Sequence, residues 1–399
     1  MNKQPIEISN GQIITPGKII PNGSILIDDG KIVEITDHPS GLTNTLSIDA
    51  QGKYISPGFI DLHVHGGGGA DFMDGDVDSF LTVAATHARF GTTSLMPTTL
   101  TSEKEELIAT FENYEKAIPL NKSGAQFIGL HLEGPYFAME QRGAQDPRYI
   151  RNPDPEEYNE ILSSFGHLIR RWTAAPELPG AIEFARQLKK QGIIASIGHT
   201  EAIYDDAVRA FDNGYTLVTH LYSGMLGVTR RNAYRYAGMV ESAFLIDEMD
   251  VEAIADGIHL PPPLLQLIYK NKSAAHIALV TDAMRGAGMP EGESILGGKK
   301  NGLKVIIEDG VAKLPDRKSF AGSVATTDRL VRTMVQQANI PLAESVKMMT
   351  ETPARIAGIN NRKGSLTIGK DADIIIFDDQ INIQKTLVKG KIIYEREGK

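Results

Sequence analysis

The pair His63-Val64-His65 closes a short apolar run, 59–65, and opens onto the glycine run 66–69. Side chains of an extended strand alternate faces, so histidines at i and i+2 point the same way and can address one metal ion. The segment His131-Leu132-Glu133-Gly134-Pro135 has the same form. His131 and Glu133 share a face, Leu132 packs in the wall, and Gly134-Pro135 turns the chain sharply. A carboxylate at the end of a buried strand is costly unless it is paired or coordinated.

Three more residues repeat the placement. His199 follows the apolar run 193–198, His220 ends 216–220, and Asp282 ends 276–282. Singly, each has an ordinary reading: a hydrogen-bonded histidine, a salt-bridged rim glutamate, a helix N-capping aspartate. Jointly they do not. Of ten histidines, His63, His65, His131, His199, His220 and His259 fall at or just past the end of an apolar run, and only His38, His87, His167 and His276 lie elsewhere.

Nitrogen and oxygen donors of this kind suit a divalent metal: zinc, iron(II), manganese or cobalt. The chain has no cysteine, so thiolate sites, iron–sulfur clusters, disulfides and cysteine nucleophiles are excluded. Two ions, one on His63 and His65 and the other on His199 and His220, could share Glu133 and hold a bridging hydroxide. A single ion on Glu133, His199 and His220 would keep an open position. Asp282 over such a centre suits proton transfer.

These residues need a scaffold that gathers strand ends. Eight apolar runs (59–65, 92–97, 127–133, 169–174, 193–198, 216–220, 251–255 and 276–282) alternate with helical patterns such as 77–90, 103–117, 180–192 and 204–213. That alternation predicts an α/β fold, a (β/α)₈ TIM barrel, whose active sites lie at the strand C-termini. The competitor is a doubly wound open sheet. The glycine run lacks both the GxGxxG spacing and a helix directly behind it. Both ends of the chain read as short strands, 11–14, 23–27 and 31–35 at the start, 373–378 and 386–394 at the finish, so one small sheet domain built from both termini is expected.

Lys+Arg 41 against Asp+Glu 50 leaves a net charge of −9, which argues against a nucleic-acid partner. No signal-peptide core opens the chain, and no run is long and apolar enough to span a membrane. A cytoplasmic protein without a membrane partner is expected.

With these residues in view, the chain resembles the amidohydrolase superfamily and, within it, the N-acetylglucosamine-6-phosphate deacetylases. The motifs that carry the resemblance are Pro57-Gly58-Phe59-Ile60-Asp61-Leu62-His63-Val64-His65-Gly66, His131-Leu132-Glu133-Gly134-Pro135, Gly198-His199-Thr200, Thr219-His220-Leu221-Tyr222, Asp256-Gly257-Ile258-His259 and Val280-Thr281-Asp282-Ala283-Met284. Ala321-Gly322-Ser323, Pro353-Ala354-Arg355 and the run 364–373 complete the order.

The resemblance implies a barrel domain, 57–360, beside a discontinuous small β-sandwich from 1–56 and 361–399. It implies Glu133, His199 and His220 as core metal ligands, His63 and His65 as ligands of a second ion, and Asp282 as general acid/base. The cofactor would be one or two divalent ions per subunit, Zn²⁺ or Fe²⁺ first, Mn²⁺ or Co²⁺ next. The reaction would be deacetylation of an amino-sugar phosphate, a metal-bound hydroxide attacking the amide carbonyl. Ala144, Gln145, Ser223, Gly224, His259 and Phe320 would touch substrate. Arg231, or its neighbour Arg230, would face the phosphate from the partner subunit of a homodimer.

Three places depart from the family pattern. Gly143-Ala144-Gln145 stands where the family has Gly-Ala-His, Ser223-Gly224 where it has Asn-Ala, and 229–236 is different again. An altered pocket is therefore expected, with a deacylase of another N-acyl amino sugar or related amide as the alternative. A cyclic-amide hydrolase, a deaminase or a non-catalytic relative fits the retained residues less well.

Overall fold

The computed structural model describes residues 4–42 and 44–397. Eight parallel strands follow one another around a barrel: β1 (Phe59–Val64), β2 (Thr92–Thr99), β3 (Leu130–Glu133), β4 (Ile169–Ala174), β5 (Ile194–Ile197), β6 (Tyr215–Val218), β7 (Asp250–Ala253) and β8 (Ile277–Leu279). Almost every residue of these strands is buried. Their inner faces fill the barrel and their outer faces meet the helices, which is why they read as unbroken apolar runs.

The regular part of β8 is only three residues long, and the barrel closes through its irregular continuation. Asp282 N–H donates to the His63 carbonyl (2.9 Å), and the His65 N–H donates to the Ala283 carbonyl (2.8 Å). Below them Asp61 accepts from the Thr281 N–H (3.2 Å) and hydroxyl (2.5 Å), locking β1 to β8. The expected strand 127–133 is two pieces, Gln126–Phe127 and β3, because Gly129 between them has φ +112°.

Helices Val77–Ala88, Lys104–Leu120, Ala181–Lys190 and Tyr204–Asp212 lie where the sequence places them, shorter or longer by a few residues. Pro155–Phe165, Met239–Leu245 and Pro262–Lys272 complete the ring, and Thr327–Gln336, Leu342–Met349 and Glu351–Ile356 follow the barrel. A three-stranded antiparallel sheet, Gly292–Leu296, Leu303–Glu308 and Val311–Lys313, grows from the loop after β8. Among the described residues no helix is long and apolar enough to cross a membrane.

Strands from the two chain ends share one eight-stranded mixed sheet. Ile6–Thr15 runs parallel to Tyr54–Pro57, which pairs antiparallel with Ile374–Phe377. An isoleucine-rich cluster (Ile8, Ile13, Ile25, Ile55, Ile374, Ile376) is its separate core. Only Gly58 separates this sheet from β1, and its N–H donates to the Asp373 carbonyl (2.9 Å). The sheet therefore anchors the strand that carries His63 and His65.

Candidate active site

The titratable residues at the barrel mouth gather at and just beyond the C-terminal ends of the strands. His199, His220 and Asp282 follow β5, β6 and β8 with φ of +50°, +30° and +48°. The left-handed region disfavours residues with a Cβ, and such strain clusters where a fold must aim a side chain. Here it turns the two imidazoles and the carboxylate over the end of the barrel instead of into its wall.

The side chains converge on Glu133. Its Oε1 lies 2.9 Å from His220 Nε2, 3.3 Å from His199 Nε2 and 3.4 Å from His63 Nε2, and its Oε2 lies 3.4 Å from His65 Nε2. Two trios, His63–His65–Glu133 and Glu133–His199–His220, each bring three donor atoms within 4.8 Å of one another, and all five residues are buried. Asp282 Oδ1 stands beside the first trio, 3.1 Å from His65 Nε2 and 3.4 Å from His63 Nε2.

The outer nitrogens decide what these rings can do. His63 Nδ1 faces Glu252 Oε2 (3.3 Å), His65 Nδ1 faces the Thr98 carbonyl (3.3 Å), and His199 Nδ1 faces the Gln141 carbonyl (2.8 Å). An acceptor at Nδ1 fixes the proton there and leaves Nε2 as a lone pair directed at the centre. The Nε2 atoms of His63 and His65 then confront each other across 3.2 Å. Two lone pairs so close need a cation between them, so the donor set fits a divalent ion.

Without a metal the same centre holds protons. Burial alone would lower the His63 imidazolium pKa, but Glu133 and Asp282 carry it to about 10. His65 likewise rises to about 9 against its burial, through hydrogen bonds to Asp282 and Glu133. Burial pushes the Asp282 carboxyl up, and the adjacent His63 and His65 outweigh it, so Asp282 stays ionised. His131 lies one layer deeper, its ring edge-on to His63, hydrogen-bonded to the Thr173 (2.7 Å) and Thr98 (3.2 Å) hydroxyls. Burial and the nearby Arg171 hold it neutral, and it does not reach the centre.

Under the centre lies an ion pair that sequence reasoning missed. Arg171 on β4 and Glu252 on β7 are fully buried and directly hydrogen-bonded. Burial would raise the Glu252 pKa, yet Arg171 brings it down to about 2. Glu252 also accepts from the His220 N–H (3.2 Å). A charged residue at an inward position of an apolar strand was the available signal, in Ile169-Arg170-Arg171-Trp172 and in Val251-Glu252-Ala253.

A cavity of about 370 Å³ opens above the centre. Ala144, Gln145, Ser223, Gly224, His259 and Phe320 line it, together with Tyr222, Ser319, Leu100 and Leu296, which the sequence did not single out. His259 Nδ1 is held by Asp256 (2.7 Å) and its ring packs on Phe320, centroids 4.6 Å apart. Gly224 has φ +59°, and a Cβ there would fall 2.9 Å from His199 Nδ1 and 3.0 Å from the Gln141 carbonyl. Arg230 and Arg231 are not in the cavity. They ride the exposed hairpin Thr229–Arg231 and Tyr234–Tyr236, with the Arg231 guanidinium over the Tyr236 ring.

The amidohydrolase family model matches residues 54–393. The chain belongs to the amidohydrolase family. Relatives include the N-acetylglucosamine-6-phosphate deacetylase of Lysinibacillus sphaericus, 35% identical over 92% of both chains. An N-acetylgalactosamine-6-phosphate deacetylase of Escherichia coli O157:H7 is 32% identical over 96% of this chain and 97% of its own. The N-acetylglucosamine-6-phosphate deacetylase structure from Pasteurella multocida superposes with a TM-score of 0.90 at 29% identity, covering 97% of this chain and 99% of that one. A mutant of the Mycobacterium smegmatis deacetylase, solved with N-acetyl-D-glucosamine-6-phosphate, gives 0.89 at 28% identity, over 98% and 100%. In this amidohydrolase the barrel, the two histidine–glutamate trios and Asp282 occupy one mouth, and the chain is a hydrolase of amide bonds.

Proposed function

We propose that the chain removes the acetyl group of an N-acetylated amino-sugar phosphate, N-acetylglucosamine-6-phosphate first, releasing acetate and the free amine. The observation that carries this is the shared Glu133 between two buried trios, with Asp282 3.1 Å from one of their histidines, at the floor of a cavity of sugar size. One or two divalent ions per subunit, zinc or iron(II) before manganese or cobalt, would be held by His63, His65, Glu133, His199 and His220.

When bound, such an ion supplies Lewis-acid polarisation of the acyl oxygen and a more acidic water. The chain's own residues do the rest. Glu133, whose carboxyl is held well below its ordinary range by the histidines around it despite burial, stays an anion and orients the site. Asp282 takes a proton from the attacking water and delivers it to the amide nitrogen as the carbon–nitrogen bond breaks. One proton leaves the water and one reaches the amine, so Asp282 ends as it began. His259, braced by Asp256, and Phe320 orient the sugar at the rim, and Ala144, Ser223 and Gly224 shape its walls.

A second reading, N-acetylgalactosamine-6-phosphate, is favoured by Gln145 and Ser223-Gly224, which reshape the wall, and by the galactosamine relative. Arg231, outside this chain's own cavity, would serve the phosphate in a second copy of a homodimer. We also assign the barrel to 57–360 and the discontinuous sheet domain to 1–56 and 361–399, in a cytoplasmic enzyme. Stripping the protein with a chelator and restoring one metal at a time tests the reading. Turnover should vanish and return, and turnover that survives full removal of metal would overturn it.

A further inference from the structure

The loop after β3 is tied to the centre twice. The Gln141 carbonyl faces His199 Nδ1 at 2.8 Å, and Gln145 Nε2 donates to Glu133 Oε2 at 2.8 Å. Gln145 is 4% exposed, and its Oε1 accepts from the Thr101 N–H at 2.9 Å. Both neighbours require one amide orientation, because an N–H can only donate and an ionised carboxylate can only accept. The amide is therefore locked at both ends. Glu133 divides its oxygens accordingly: Oε1 faces His63, His199 and His220, while Oε2 faces His65 and Gln145.

We propose that Gln145 is a positioning residue for Glu133. Resting on the metal-hydrolase reading above, it holds the carboxylate with Oε2 toward His65 and Oε1 toward His63, His199 and His220. Without it Oε2 would keep only His65 as a near partner, and the carboxylate could rotate about its terminal torsion, which is broad and roughly two-fold. A chain that places glutamine here thus braces its metal ligand through an amide that is itself pinned by the Thr101 backbone. Gln145 also lines the cavity.

The test is zinc affinity, read by competition with a chromogenic chelator on apo-protein to which Zn²⁺ alone is returned. Gln145→Met keeps the volume and removes the donor. Zinc affinity should fall 10- to 100-fold, the usual effect of losing a ligand's hydrogen-bond partner, with the thermal transition retained. Gln145→His, which can still donate, should recover part of it. If Gln145→Met does not fold, Gln145→Asn, which falls one methylene short, takes its place with the same expected loss. A folded variant with unchanged zinc affinity and reduced turnover would overturn the proposal and make Gln145 a substrate contact only. Wild-type protein that binds no metal, or needs none, would instead sink the hydrolase reading itself, so the two failures are distinct.

Discussion

His63 Nδ1 lies 3.3 Å from Glu252 Oε2, and neither side chain is reached by solvent. Glu252 is itself paired with the buried Arg171. The chain of contacts runs Arg171, Glu252, His63, Glu133, so a guanidinium inside the barrel sets the charge under the mouth. Breaking a buried pair by removing one partner typically costs about 3–5 kcal/mol, because the survivor's charge is left uncompensated. Glu252→Gln should therefore lower the thermal midpoint by several degrees and weaken metal binding together. A thermal scan of the variant showing an unchanged midpoint would remove Glu252 from this role.

Asp282 is placed to move protons and has no role in holding the fold that an amide could not fill. Asp282→Asn should keep its thermal midpoint and bind metal, while kcat falls about 10²–10⁴-fold, the usual worth of general acid–base catalysis. Steady-state kinetics beside metal analysis separates the two effects. Turnover near that of the wild type would end the assignment.

Glu133 and Asp282 raise the pKa of His63 to about 10 and of His65 to about 9 against their burial, so the metal-free centre holds on to protons at neutral pH. Ligands must lose those protons to bind a cation. Metal uptake near pH 7.5 should thus release protons, and apparent affinity should climb as pH rises from 6 to 8. Calorimetry in buffers of different ionisation enthalpy counts the protons. Uptake without proton release, or affinity that weakens from pH 6 to 8, contradicts this picture of the centre.

Arg231 is exposed on its hairpin, so Arg231→Ala should leave stability within about 0.5 kcal/mol. If it meets phosphate in a second copy, KM for a phosphorylated sugar should rise tenfold or more, since a hydrogen bond to a charged group contributes about 1.5–3 kcal/mol. KM for the unphosphorylated sugar should not move. Equal effects on both sugars would place Arg231 elsewhere in the function.

The site was legible because its chemistry is written at strand ends. His63, His65, Glu133, His199, His220 and Asp282 each follow an apolar run, and the barrel brings all such ends to one rim. Ala144, Gln145, Ser223, Gly224, His259 and Phe320 came through the family resemblance, and all of them line the cavity. What stayed hidden depends on contacts distant in sequence. Arg171 and Glu252 are 81 residues apart, and only barrel closure makes them partners. His131 shares a face with Glu133 but sits a layer lower, a depth that alternation alone does not give. The sheet at 292–313 lies in a long, glycine-rich insertion whose strands pair with one another and not with a barrel strand among the described residues, with no barrel periodicity to announce them.

The most direct measurement is acetate release from N-acetylglucosamine-6-phosphate, set beside its galactosamine counterpart and the unphosphorylated sugars, with zinc, iron(II) or manganese supplied. Metal-dependent turnover of a phosphorylated N-acetyl amino sugar, much faster than of the unphosphorylated forms, is expected. Acetate release from none of them by metal-loaded protein would contradict it.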